Sequence, residues 1–89
     1  MSTKRSDFEI AAAILSVARN GAKKSRIIYK ANLNFEIGKK YLDRLIASGL
    51  LRGPQDETRI FRTTEKGVDY ISYFKGFKNF MLVHKAASN

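Results

Sequence analysis

Lys23, Lys24, Arg26 and Lys30 fall within eight residues, and no Asp or Glu lies among them. Side chains of this type at this density suit one chemistry, the holding of phosphates and other anions by charge and hydrogen bonding. A second set of bases, Arg52, Arg59 and Arg62, brackets the only proline, Pro54. These seven residues are the candidate phosphate contacts. The competing reading is a solvated face, with Arg52 and Arg59 pairing with the acids Asp56 and Glu57 between them.

Other chemistries have less to work with. Cysteine is absent, which removes disulfides, thiolate zinc sites, iron–sulfur clusters and Cys nucleophiles together. His84 is the single imidazole and stands near the end of the chain. No Ser-His-acid set and no phosphate loop of G-x-x-x-x-G-K type occurs. The expectation is a non-enzymatic protein with no metal, no cofactor and no evident small-molecule ligand.

With 89 residues the chain is expected to be one domain, residues 1–89. It carries 17 Lys and Arg against 8 Asp and Glu, a formal charge of +9, and residues 1–33 hold more than half of that excess. Such a balance points to a polyanionic partner, most often nucleic acid. Hydrophobic residues make up 44%, enough for a folded core. A chain this short still leaves roughly a third of its unfolded surface in water, so dimerisation would add useful burial. The longest uncharged apolar run, Ile10–Val17, is far short of the ~18 residues of a membrane span. Met1–Arg5 has no apolar stretch after it of the kind a signal peptide needs. A soluble cytoplasmic protein is expected, with no membrane partner.

Four helices and a hairpin must position the bases. The first helix is predicted from Asp7 to Arg19, with Ser6 and Glu9 as a capping box, Phe8 at its start, Ala11, Ile14, Leu15 and Ala18 at helical spacing, and Asn20-Gly21 as its stop. The second is short, Lys24 to Ala31, with Ile27, Ile28 and Ala31 inward, followed by a tight turn at Asn32-Leu33. Asn34 caps the third, which runs to Ser48 with Phe35, Gly38, Leu42, Leu45 and Ile46 inward and Glu36, Lys39, Lys40 and Asp43 outward. A glycine inside a helix costs about 1 kcal/mol relative to Ala, so Gly38 suggests close helix–helix approach. Leu50–Arg52 and Thr58–Arg62 form a hairpin about Pro54. Thr64 caps a long last helix, from Glu65 to about Lys85. The fold class is mainly α with a small β-hairpin: residues 7–63 form a winged helix-turn-helix, and residues 64–86 a long C-terminal dimerisation helix.

Arg26–Leu33, Tyr41–Leu45, Ser48–Leu51 and Thr63–Gly67 follow one another at spacings that resemble archaeal winged-helix DNA-binding proteins, above all the small basic Sulfolobus chromatin proteins of the "10a" family. The resemblance implies a recognition helix bearing Asn34, Glu36, Lys39, Lys40 and Asp43, a hairpin wing, and a last helix that pairs antiparallel with its copy. It also implies association with the nucleoid.

The residues allow more than one reading inside that frame. Lys39 and Lys40 can reach phosphates or guanine acceptors, and Asn34 can pair with adenine. Glu36 with Lys40 and Lys39 with Asp43 are equally i,i+4 pairs of an ordinary solvent-facing helix. Tyr29 reads as packing before stacking. Lys4 and Arg5 read as a disordered basic arm, and the acidic wing tip at Gln55, Asp56 and Glu57 as solvent-facing. Tyr70, Phe74, Phe77, Met81 and His84 step by four, three, four and three, a coiled-coil seam widened by Phe80 and Leu82, and form the candidate homodimer interface. Double-stranded DNA is the expected partner. Three functions stay open: a site-specific transcription regulator, an architectural chromatin protein, and a winged-helix protein–protein module.

Overall fold

The structure, a computed structural model, describes residues 5–87, with side chains through Phe80. The element order is α1 (Asp7–Ala18), β1 (Ala22–Lys23), α2 (Lys24–Lys30), α3 (Phe35–Ala47), β2 (Leu51–Arg52), β3 (Ile60–Thr63) and α4 (Glu65–Ala87). This is the predicted mainly helical fold with a winged helix-turn-helix. One element is new. The wing is not a lone hairpin, because β1 adds to it, giving a three-stranded antiparallel sheet in the order β1-β3-β2.

α1 starts at the expected capping box. The Glu9 N–H donates to Ser6 Oγ at 3.1 Å and the Ser6 N–H donates to Glu9 Oε1 at 2.9 Å. The Ser6 amide foremost, with the Ser6 hydroxyl also donating at 3.3 Å, holds the Glu9 carboxyl below its ordinary pKa. Ala11, Ala12, Ile14, Leu15 and Ala18 of this helix are buried. All of these but Ala12 meet Ile27 and Ile28 from α2, Ala31 just after it, Leu42 and Leu45 from α3, Leu51 and Phe61 from the sheet, and Ile71 from α4 in one apolar core. Among the described residues, nothing polar or charged is buried there. Phe8 stays outside, 68% exposed, with its ring stacked on Tyr70 at 6.4 Å between centroids.

The turn between α2 and α3 forms because Asn32 accepts a left-handed backbone, φ +57. The Asn32 N–H then donates to Tyr29 O at 3.0 Å and the Leu33 N–H to Ile28 O at 3.1 Å, a Schellman motif that satisfies the last carbonyls of α2. Arg5 is no disordered arm. Its Nη2 donates to Ala31 O at 2.6 Å and to Asn32 O at 3.2 Å, placing a cation at the negative end of α2. Lys4 lies outside the described residues.

α3 begins at Asn34, whose Oδ1 accepts the Ile37 N–H at 2.8 Å. Its buried positions are Gly38, Leu42 and Leu45. Phe35 and Ile46, expected inward, are 60% and 39% exposed. At about 100° per residue they sit at the edge of the arc that Gly38, Leu42 and Leu45 define, and Tyr41 takes the place beside the core instead. Gly38 does mark a close approach: a β-carbon there would come within 2.6 Å of Ile28 Cγ1.

The end of α3 and the start of α4 lock together. The Thr64 N–H donates to Leu50 O at 3.1 Å, Thr64 Oγ1 donates to Gly49 O at 2.7 Å, and Lys66 Nζ donates to Ser48 O at 3.0 Å. Thr64 Oγ1 also accepts the Gly67 N–H at 3.1 Å, which caps α4. A β-carbon on Gly67 would fall 2.2 Å from Leu50 O.

These two glycines give an ordered prediction. In Gly38→Ala the obstacle is a side chain, and the helix gains propensity, so the net loss should be about 1 kcal/mol. In Gly67→Ala the obstacle is a backbone carbonyl that cannot move without breaking the Thr64 bond, so the loss should be about 3 kcal/mol or more. Urea unfolding followed by circular dichroism measures both. Equal losses would show that the α3–α4 junction is looser than described.

Candidate nucleic-acid interface

The exposed arc of α3 is opposite Gly38, Leu42 and Leu45. Its centre carries Glu36, Lys40 and Asp43, with Lys39 toward the Phe35 edge and Arg44 toward the Tyr41 edge. Sequence reasoning left out Arg44. Its guanidinium lies 5.8 Å from the centroid of the Tyr41 ring, and the Tyr41 hydroxyl donates to Asp7 Oδ1. That acceptor raises the Tyr41 pKa. Stacking on a fixed ring orders a long side chain beside the exposed arc. The signal was available in the i+3 spacing of Tyr41 and Arg44. Asn34 is only partly a reading residue, since its Oδ1 is engaged as the helix cap.

Strand register assembles the phosphate candidates in a way the sequence did not reveal. Arg52 stands directly opposite Arg62, and Lys23 opposite Ile60. Side chains alternate across a strand, so Ile60 and Arg62 share a face. Ala22 and Phe61 point into the core, and Lys23, Arg52 and Arg62 are exposed on the opposite face. Three cations, one from each strand, therefore occupy one side of a small sheet. Like charges directly opposite in an antiparallel pair destabilise it, and an anion between them reverses that effect.

The remaining candidates divide. Arg26 and Lys30 are exposed on the outer side of α2. Lys24 is half-buried, with its ammonium 5.4 Å from the centroid of the Phe35 ring, which ties it to the start of α3. Arg59 is not on a strand. It has a left-handed backbone, φ +61, in the turn that precedes β3. Asp56, the alternative partner for Arg52 and Arg59, accepts from the Thr58 hydroxyl and from the Thr58 N–H at 3.0 Å. The two bonds, the hydroxyl first, hold its carboxyl below the ordinary range. The wing tip is thus a self-contained turn.

Of the seam residues, Tyr70 is half-buried against α1 of its own chain, and its hydroxyl donates to Phe8 O at 3.2 Å. Burial raises its pKa. Phe74 is half-buried with the Lys78 ammonium 5.9 Å from its ring centroid, and Phe77 and Phe80 are exposed. Met81 and His84 lie outside the described side chains. Phe8, Tyr70, Tyr73, Phe74 and Phe77 line an apolar groove between α1 and α4.

A family model described as winged helix-turn-helix matches residues 4–82. The uncharacterised protein MJ0287 of Methanocaldococcus jannaschii is 38% identical over 65 residues, 72% of this chain and 64% of the relative's own length. Among solved structures, Sso10a-2, a DNA-binding protein from Sulfolobus solfataricus, superposes with a TM-score of 0.81 at 29% identity, over 94% of this chain and 90% of that one. The zinc-responsive MarR family member ZitR of Lactococcus lactis has a TM-score of 0.62 at 19% identity, over 97% of this chain and 61% of that one, which is a likeness of fold.

The three-cation sheet face leads to a prediction. Arg52→Gln relieves the Arg52–Arg62 repulsion and should raise stability in dilute buffer by up to about 1 kcal/mol. The same change should reduce the stabilisation that inorganic polyphosphate gives the wild-type protein. Thermal melts of both proteins with and without polyphosphate test it, and equal stabilisation of the two would deny the sheet face a role in holding anions.

Proposed function

The chain belongs to the winged helix-turn-helix family, and we propose that it binds double-stranded DNA as a transcription regulator acting as a homodimer. The observation that carries the reading is the set of exposed bases on α2 and the sheet, the elements that adjoin α3. Arg26 and Lys30 extend from α2, and Lys23, Arg52 and Arg62 from the sheet. In a helix-turn-helix the second helix enters the major groove while flanking elements hold phosphate. The likeness to Sso10a-2, itself a DNA-binding protein, supports the same reading.

A second reading rests on α3 itself. Glu36 and Asp43 stand at the centre of its exposed arc, where they repel phosphate. That arrangement favours contact through the backbone with little sequence preference, as in an architectural chromatin protein. The two versions differ in one measurable respect. Lys40→Ala changes the preferred sequence of a regulator, and weakens every duplex alike in an architectural protein; Asn34→Ala would also remove the cap of α3 and so does not separate them.

DNA binding is tested by salt. Neutralising about five phosphates per subunit, one for each of Lys23, Arg26, Lys30, Arg52 and Arg62, gives a slope of log K against log salt of roughly −4 to −5. Arg26→Ala should weaken all duplexes and make the slope shallower by about 1. Affinity that is flat from low to moderate salt would sink the nucleic-acid reading.

The dimer is carried by α4, whose apolar side chains continue beyond the core. Ile71 is buried, yet Tyr73, Phe77 and Phe80, between about half a turn and two and a half turns further on, are exposed. An apolar patch of this kind on a small protein marks an interaction surface, and two-fold pairing is the commonest way to cover one. A second copy laid on the groove would also fix two α3 helices at one spacing. Phe77→Asp should convert the dimer to a monomer in sedimentation and lower DNA affinity with every base in place. Wild-type protein that sediments as a monomer at tens of micromolar would refute the dimer.

A further inference from the structure

We propose that the outer face of α2, where the Tyr29 ring lies beside Arg26 and Lys30, is a stacking site for an unpaired nucleobase, so that this protein prefers DNA in which the duplex opens into single strands. The inference rests on the duplex-binding reading above and narrows its substrate.

α2 turns Ile27 and Ile28 into the core. At about 100° per residue, Arg26, Tyr29 and Lys30 share an arc of about 100° on the other side. All three are exposed, and Tyr29 at 80% is the most exposed large apolar side chain among the described residues. Other aromatic rings have evident work within the fold. Phe61 is buried in the core, Tyr41 donates to Asp7, Tyr70 stacks on Phe8, and Phe35 has the Lys24 ammonium over its ring. The packing role expected for Tyr29 is therefore not what the structure gives it.

The surroundings identify the ligand chemistry. No Asp or Glu occurs between Glu9 and Glu36, so this part of the sequence contributes no acid to repel a nucleic-acid strand. A flat exposed ring with two cations beside it suits a nucleic-acid strand, which pairs each base with neighbouring phosphates. Every base offers a π-face, so the contact is tolerant of sequence. Within an intact duplex both faces of a base are covered by its neighbours. Tyr29 can stack only where a base is unpaired, as at a bubble, a junction or a strand end. α3 is less suited to this task, since Glu36 and Asp43 flank its exposed lysines. Single-stranded DNA and RNA share the chemistry of base and phosphate, and the test separates them.

The chain contains no tryptophan, so Tyr29→Trp introduces a single indole reporter at the site. It is titrated with oligo(dT), oligo(U), a blunt duplex, and the same duplex with a central bubble of unpaired thymidines. Stacking should quench the indole with the bubble and with oligo(dT), and leave it unchanged with the blunt duplex. In the otherwise native protein the bubble should bind roughly tenfold tighter than the blunt duplex. Tyr29→Leu should lose that preference with blunt-duplex affinity unchanged, and Tyr29→Phe should keep it. Circular dichroism of each variant reports the fold. Quenching by both single strands extends the site to RNA, and quenching by oligo(dT) alone restricts it to DNA; both uphold the stacking site. Equal wild-type affinity for bubble and blunt duplex overturns the proposal. So does a Tyr29→Leu protein that weakens on both to the same degree, or an indole that no nucleic acid quenches, which would leave this face to a protein partner. Failure to bind the blunt duplex, with quenching by single strands retained, would instead refute the duplex reading alone.

Discussion

The carbonyl of Leu50 is the point on which the two ends of the molecule depend. It accepts the Thr64 N–H at 3.1 Å and leaves no room for a β-carbon at Gly67. A helix end leaves four carbonyls without partners, and a helix start leaves four amides. Here one junction serves both. Ser48, Gly49 and Leu50, which directly follow α3, give acceptors to Thr64 and Lys66, and Thr64 in turn caps α4. Lys66 adds a cation where the α3 dipole is negative. Immediately before the junction, Thr63 Oγ1 donates to Leu15 O at 2.6 Å, so α1 is tied in as well. The orientation of α3 relative to the wing and to α4 is thus set by short polar contacts with directional demands, and the apolar core fills the space between.

The other end of α3 is fixed on the same terms. Asn32 turns the chain, Arg5 binds the carbonyls of that turn, and the missing β-carbon of Gly38 lets α3 settle on Ile28. A helix held at both ends can present its outer arc at one angle to a groove. This helps sequence reading and backbone contact alike, because both require the flanking cations to arrive at phosphates together. The carboxylates of Asp7, Glu9 and Asp56 are meanwhile engaged by Tyr41, Ser6 and Thr58. The acids near the termini and the wing tip serve local structure, and the cations of α2 and the sheet keep their outward field.

The helices, the capping box, the tight turn, the cap at Thr64 and the close approach at Gly38 were all legible in the sequence. Each follows from a local rule linking a residue type to a backbone geometry. What escaped depends on pairing at a distance. β1 is two residues long and too short to show alternation, so Lys23 could not be seen to share a face with Arg52 and Arg62. Phe35 and Ile46 were put inward because they are apolar, although their angular positions lie off the buried arc. Arg5 and Tyr29 were misjudged for a related reason. Whether a side chain near an element's end finds a carbonyl, a core or open water is decided by what the rest of the fold brings there.

On the DNA-binding reading proposed above, the distribution of charge gives the flanking elements and α3 different work. Coulomb attraction to a polyanion falls slowly with distance and carries no sequence information, and cations on α2 and the sheet suit that purpose. α3 is different, because Asp43 and Glu36 lie between Lys39 on one side and Lys40 and Arg44 on the other around its exposed arc. An acid near a phosphate is repelled, whereas an acid near the amino group of a cytosine accepts a hydrogen bond. Mixed charge on a helix therefore weakens the average attraction and strengthens the dependence on where the helix sits. With attraction supplied from both flanks, α3 can carry acids that a helix binding alone could not tolerate. On the regulator reading proposed above, affinity would come from the flanks and the choice of position from α3, an arrangement that would hold only while the Leu50 junction and the Asn32 turn keep the elements in fixed relation.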